Sequence, residues 1–249
     1  MPVLITELIL LGVFSTLTSL LTAVAGLGGG MLLLALMAQL FAPAILIPLH
    51  GVAQFFSNAN RGLIHRTHLE WKYLKPFILG SAVGAFAFVP LVVFVNHKVG
   101  ALAVGLFILV VTWLPKWLNV SRLHPLFSGG LTSGLGVLFG ATGPLVMSAH
   151  PKSDWSKEQI VGNHGCAMAF QHGVKVIAYL VAGVQLYKYM PHIVVLFVGA
   201  WLGTFLGTRL LKKISDDRFK TLLKWVLTAL AIRLILLNGH ALLQGVVRS

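Results

Sequence analysis

Two histidines, His50 and His164, stand 114 residues apart, and two glycine clusters keep the same spacing. The clusters read Gly26-Leu-Gly-Gly-Gly30 and Gly140-Ala-Thr-Gly-Pro144. A neutral imidazole donates one hydrogen bond, accepts another, and changes charge near neutral pH. A glycine break ahead of a helix leaves backbone N–H groups unpaired and aims the positive end of the dipole outward, which suits an anion. Helices opening near Met31 and Leu145 are expected to do this. Gly26, Gly28, Gly29, Gly30, Gly140, Thr142 and Gly143 are therefore candidate anion contacts. Neither cluster is a nucleotide-binding P-loop, because no Lys-Ser/Thr pair follows.

From each histidine a polar stripe continues along one helical face. His50, Gln54, Ser57 or Asn58, and Arg61 recur at helical spacing, and the copy reads His164, Met168, Gln171 or His172, and Lys175. Polar groups at that period on an apolar helix face protein or water rather than lipid. Gln54, Asn58, Arg61, His172 and Lys175 thus join the two histidines as candidate substrate contacts. Arg61 equally suits a snorkelling cap at a helix end, whereas Lys175 lies deeper in its segment. Arg233, in the apolar run Leu227–Leu237, fits either a counter-charge for substrate or a partner for a carbonyl end. His65-x-x-His68 fits a solvated loop better than a metal site, and the reading requires no metal or cofactor.

The elements that must position these residues follow from composition. Of 249 residues, 57% are hydrophobic and 10% charged, and the mean hydropathy is +0.88. Soluble domains carry about 25% charged residues. Lipid is the solvent for most of this chain, which makes it an all-α integral membrane protein. Apolar stretches cover Val3–Phe41, Ala44–Ile64, Tyr73–Val95, Val99–Leu114, Leu126–Ala149, Ile160–Gly183, His192–Leu211 and Phe219–Val247. The glycine clusters interrupt the first and fifth, so each of those should be two helices meeting at a bend.

The common offset extends to Gly29 and Gly143, Gly51 and Gly165, Ala53 and Ala167, Phe56 and Phe170, and Arg61 and Lys175. It drifts to 119 where Gly80-xxx-Gly84 meets Gly199-xxx-Gly203. The chain reads as a tandem duplication, residues 1–119 and 120–249, forming one membrane domain. Loop charge decides the relative orientation of the halves. The loop after the second stretch holds Arg61, Arg66, Lys72 and Lys75, and its counterpart only Lys188. The loop after the third holds only Lys98, and its counterpart Arg209, Lys212, Lys213, Arg218 and Lys220. The positive-inside rule then favours two inverted-topology repeats of about five helices each, two short and three spanning. Discontinuous helices at the glycine breaks would sit at membrane depth, where such backbone must pack in protein or line a cavity.

The charge balance is +13, from nineteen Lys and Arg against six acids. Most of that excess sets topology, with basic loops cytoplasmic and the chain multi-pass in a bacterial inner membrane; it leaves no role for nucleic acid. Glu7, Glu70, Asp154, Glu158, Asp216 and Asp217 all avoid the interior of a long apolar stretch, which argues against a cation pathway. Intramembrane enzymology lacks the buried carboxylates that would complete a catalytic pair. A single Cys166 excludes an intrachain disulfide. Val3–Val24, without a basic leader or a small-residue cleavage site, reads as a retained helix. The expectation is a secondary transporter for a small anion, with protons as candidate co-ion and alternating access between the repeats. The rival is a channel for a small neutral or weakly ionised solute with a twin-histidine pore. A homo-oligomer is compatible with either.

At these residues the sequence resembles the sulfite exporter TauE/SafE family of membrane transporters. Gly26–Gly30 matches the family's Gly-x-Gly-Gly-Gly run, and Gly140–Pro144 its Gly-x-x-Gly-Pro run. Asn58-Ala-Asn-Arg61, Glu70-Trp71, Pro76 and Gly80/Gly84 resemble its basic loop and following helix. Ala35 stands where the family commonly has proline, and Thr142 where it commonly has glycine. The resemblance implies export or uptake of sulfite, sulfonates or related small sulfur-containing anions.

Overall fold

A computed structural model of the chain describes residues 5–25, 28–94, 96–114, 119–151, 155–210 and 216–247. Regular structure among the described residues is entirely helical. The first apolar stretch divides into α1 (Ile5–Ala25) and α2 (Gly29–Met37), and the fifth into α6 (Pro125–Phe139) and α7 (Gly143–Ala149). The remaining stretches are α3 (Pro43–Ile64), α4 (Trp71–Phe94), α5 (His97–Trp113), α8 (Lys157–Val181), α9 (Met190–Leu210) and α10 (Asp216–Val247). Short 3₁₀ turns cover Arg66–His68 and Leu186–Tyr189. Gly28 and Gly140 have φ of 98° and 95°, a region that residues with a side chain rarely adopt, and a Cβ there would also meet Leu223 and Leu34. Pro144 lies in the first turn of α7, where its missing N–H would have had no helical partner.

Helix length departs from expectation at one place. α6 and α7 are short, with 15 and 7 residues, but α1 has 21 and so extends roughly 31 Å at about 1.5 Å per residue. Among the described residues, four segments are long and apolar enough to cross a membrane: Ile5–Ala23, Trp71–Val92, Leu186–Gly207 and Thr221–His240. α3 and α8 are as long but carry the polar stripes, and α5 has only 17 residues. The reason is position. α3 and α8 pack on each other, α4 lies against α8 and α9 against α3, and α1 and α10 complete an outer jacket by packing on α9 and α5. The jacket turns Ile9, Leu17, Leu79, Val83, Trp201 and Leu236 outward, as lipid-facing helices do.

Glycine seams join the jacket. A Cβ at Gly80 would fall on the Leu126 carbonyl oxygen and one at Gly84 on that of Gly130, so α4 and α6 run parallel in near backbone contact. On the other side, a Cβ at Gly199 would press the Gly12 carbonyl oxygen and one at Gly203 that of Thr16, which sets α9 parallel to α1. In lipid, association comes from such close packing, because tails are as apolar as leucine. α3 and α8 instead cross antiparallel, with Gly51 beside Lys175 and Val176, Gly62 beside Cys166, and Gly162 beside His65. α5 and α10 are antiparallel too, with Gly105 against Ile235 and Gly239 near Leu102.

Polar knots reinforce the seams. Gln171 Nε2 donates to Thr132 Oγ1 (2.8 Å) and Ser81 Oγ (3.0 Å), tying α8 to α6 and α4. Asn163 accepts from the Glu70 N–H (2.8 Å) and donates to the His68 carbonyl (3.2 Å), and so clips the loop after α3 onto α8. Gly84→Ala is expected to lower stability by about 1–3 kcal/mol, since the methyl meets a backbone carbonyl that cannot rotate away. Gly239→Ala has room at that position and gains helix propensity of up to about 1 kcal/mol. Thermal melting of the two variants in detergent, side by side, should move in opposite directions.

Candidate functional site

A cavity of about 40 Å³ opens where the two bends face each other across α3 and α8. At roughly 10–15 Å³ for each water-sized group it admits only a few such groups. Four pairs of residues related by the 114-residue offset line it: Gly30 and Pro144, His50 and His164, Gln54 and Met168, and Asn58 and His172. Thr22, Gly28, Met31, Arg61, Ala141 and Gly143 complete the wall. The structure thus selects Asn58 over Ser57, and His172 over Gln171, as the residues that reach the cavity. Gln171 belongs to the α4–α6 knot instead.

The stripes lie inward because α3 and α8 are surrounded, and they are buried with them. His50 is 0% exposed and Lys175 2%. His50 Nε2 lies 2.8 Å from the Gly30 carbonyl oxygen. A carbonyl only accepts, so Nε2 must carry the hydrogen, which leaves Nδ1 as an acceptor in the neutral ring. Nδ1 of His50 is buried without a hydrogen-bond partner, and so is Nδ1 of His172, whose ring meets that of His50 edge to face at 5.7 Å. Along α3, Asn58 Nδ2 donates to the Gln54 carbonyl (2.7 Å), and Arg61 Nη2 donates to Asn58 Oδ1. The chain of bonds orients Arg61 at the cavity wall.

Lys175 is placed differently. Its ammonium donates to the Gly140 carbonyl (2.7 Å) at the end of α6, and it is not among the cavity-lining residues. Tyr179 Oη donates to the Val137 carbonyl one turn earlier (2.8 Å). Both serve carbonyls that a helix leaves unpaired at its C-terminus. Of the remaining candidates, Gly29 packs against Thr18 and Thr22 in α1, and Gly140 and Thr142 form the turn between α6 and α7 without lining the cavity. Gly26 lies outside the described residues. Arg233 donates to Gln39 Oε1, and Gln39 Nε2 in turn holds the Ala35 carbonyl (3.1 Å), so Arg233 braces the end of α2 at a distance from the cavity.

Sequence reasoning missed Thr22, Met31 and above all His150. His150 Nε2 lies 3.3 Å from His164 Nδ1, with both rings buried. The signal that could have found it is its place one residue beyond α7, where an apolar run ends on a titratable group.

No curated protein and no solved structure matches the chain. A sequence-family model does, over residues 9–234, which takes in both bends, both stripes and nine complete or nearly complete helices of the described structure. By that match the chain belongs to the sulfite exporter TauE/SafE family of membrane transporters.

Proposed function

We propose that the protein moves a small sulfur oxyanion, sulfite or a close relative, by alternating access, and that the cavity between the bends is the site where the anion rests. The single observation that carries this is the cavity's lining: four residue pairs at one sequence offset bring together imidazoles and amides, and the Arg61 guanidinium joins them on the wall. Among the described residues the lining contains no carboxylate. Gly28 precedes the nine-residue α2 with no side-chain cap, so backbone N–H groups at that end are left for a ligand. Arg61 raises the local potential for an anion. The volume favours an inorganic anion of a few heavy atoms over a bulky sulfonate.

Inverted repeats supply the means of exposing one site to two faces in turn. Packing directions support that organisation. If α1 to α5 correspond to α6 to α10, then α3 and α8 are counterparts and cross antiparallel, as do α5 and α10. The seams exchange under the same correspondence, because α4 on α6 becomes α9 on α1. Their contact points, Leu126 with Gly12 and Gly130 with Thr16, are again 114 residues apart. Loop charge supports a cytoplasmic side, in a bacterial inner membrane, for the segments that follow α3 and α9.

Purified protein in liposomes is expected to carry sulfite with saturation. A panel of sulfite, thiosulfate, sulfate and aryl sulfonates, with and without a pH gradient, ranks the substrates; flux of none of them overturns the proposal. His172→Ala should raise the half-saturating concentration by about tenfold or more, the usual effect of one lost hydrogen bond to a charged group. Lys175→Met acts elsewhere. It leaves the Gly140 carbonyl unpaired and should cost about 1–3 kcal/mol of stability by detergent melting, with Lys175→Arg recovering part of it.

A further inference from the structure

We propose that His150 and His164 form a proton relay between the anion cavity and the face that carries the basic loops. The inference rests on the anion-transport reading above and names the route by which protons would accompany the anion. His164 lines the cavity, while His150, next to it, does not. The two rings share one hydrogen between Nε2 of His150 and Nδ1 of His164, at 3.3 Å and nearly perpendicular. On its other sides His150 packs against Tyr73 at 5.2 Å and Trp155 at 5.4 Å between ring centroids. Tyr73 lies in the first turn of α4, just after the loop that follows α3, and Trp155 lies two residues before α8, so this aromatic pair marks the loop face. Tyr73 Oη is itself buried with no hydrogen-bond partner. His164 sits about 12 Å along α8 from His172, eight residues at about 1.5 Å each, on the side of the cavity nearer the loops.

Among the described residues, charged and titratable groups from three elements face the pair. Arg61 approaches from α3, His172 from α8 and Tyr73 from α4. A buried imidazole can satisfy its N–H on a carbonyl, as His50 does on Gly30, whereas here the partner is a second titratable ring. A relay needs that arrangement. Take the shared hydrogen on His150, with His164 protonated at Nε2. A proton arriving at His150 Nδ1 makes an imidazolium. The Nε2–H bond of His150 then breaks as an Nδ1–H bond forms on His164, and the Nε2–H bond of His164 breaks as an O–H bond forms on the bound anion. One proton has entered the cavity, both rings are neutral again, and each is in its other tautomer. The reverse transfer, or rotation of the rings, restores them.

The experiment separates two fluxes in the same proteoliposomes. Exchange of labelled for unlabelled sulfite at equal pH needs no net proton movement, whereas net uptake driven by a pH gradient does. His150→Gln is expected to keep exchange near the unaltered rate and to lower pH-driven net uptake by about tenfold or more. Net uptake that survives with exchange overturns the relay. So does loss of both fluxes in a variant whose melting temperature sulfite still raises. If His150→Gln does not fold, the unaltered protein carries the test: a solvent deuterium isotope effect on net uptake but not on exchange supports the relay, and equal effects on both overturn it. Unaltered protein that exchanges sulfite without responding to a pH gradient overturns the relay alone. Unaltered protein that neither exchanges nor binds any sulfur oxyanion removes the transport reading beneath it.

Discussion

At membrane depth there is no water to pair with an exposed N–H or C=O, so every backbone polar group needs a partner inside the protein. The rest of this structure follows from breaking two helices under that constraint. Each bend frees backbone groups, and at the second one side chains of α8 answer them: Lys175 donates to Gly140 and Tyr179 to Val137, while at the first His50 of α3 donates to the Gly30 carbonyl at the start of α2. Helices that carry such donors are too polar for lipid and must occupy the centre. The outer helices then have the opposite task, since they face lipid and cannot be held by a hydrophobic effect. Carbonyl-to-glycine seams between α4 and α6 and between α1 and α9 hold them instead.

The same polar residues therefore serve two purposes, and the division of labour differs between matching positions. Arg61 lines the cavity, whereas its counterpart Lys175 reaches a carbonyl at the end of α6. His50 bonds to the backbone of α2, whereas His164 bonds to another imidazole. Gln54 has Met168 at the matching place in the cavity lining. The α3 side is thus richer in hydrogen-bond donors, and the α8 side holds a softer thioether with His164 and His172, His150 lying behind His164.

Much of the fold was legible because lipid simplifies the pattern. Helix positions followed from apolar run length, and the bends from glycine and proline, since no other residues make a left-handed turn followed by a fresh helix so cheaply. α1 (Ile5–Ala25) is close to the Val3–Val24 run read as one helix, and is not one of the two short helices expected at the bend. The stripes were legible as well, as polar residues at helical spacing on apolar helices have few reasons to be there.

By itself the sequence determined the solvent of the chain, its helical segments, its two bends, and the side chains that lipid would not tolerate facing outward. These are local properties of composition and spacing. Tertiary structure decided what each polar group meets: Asn58 and His172 rather than their neighbours at the cavity, Gly140 for Lys175, Gln39 for Arg233, and His150 for His164. Those partners lie between 14 and 194 residues away in the chain. A hydrogen bond is satisfied within a few tenths of an ångström, and only the packed positions of the helices fix distances at that scale.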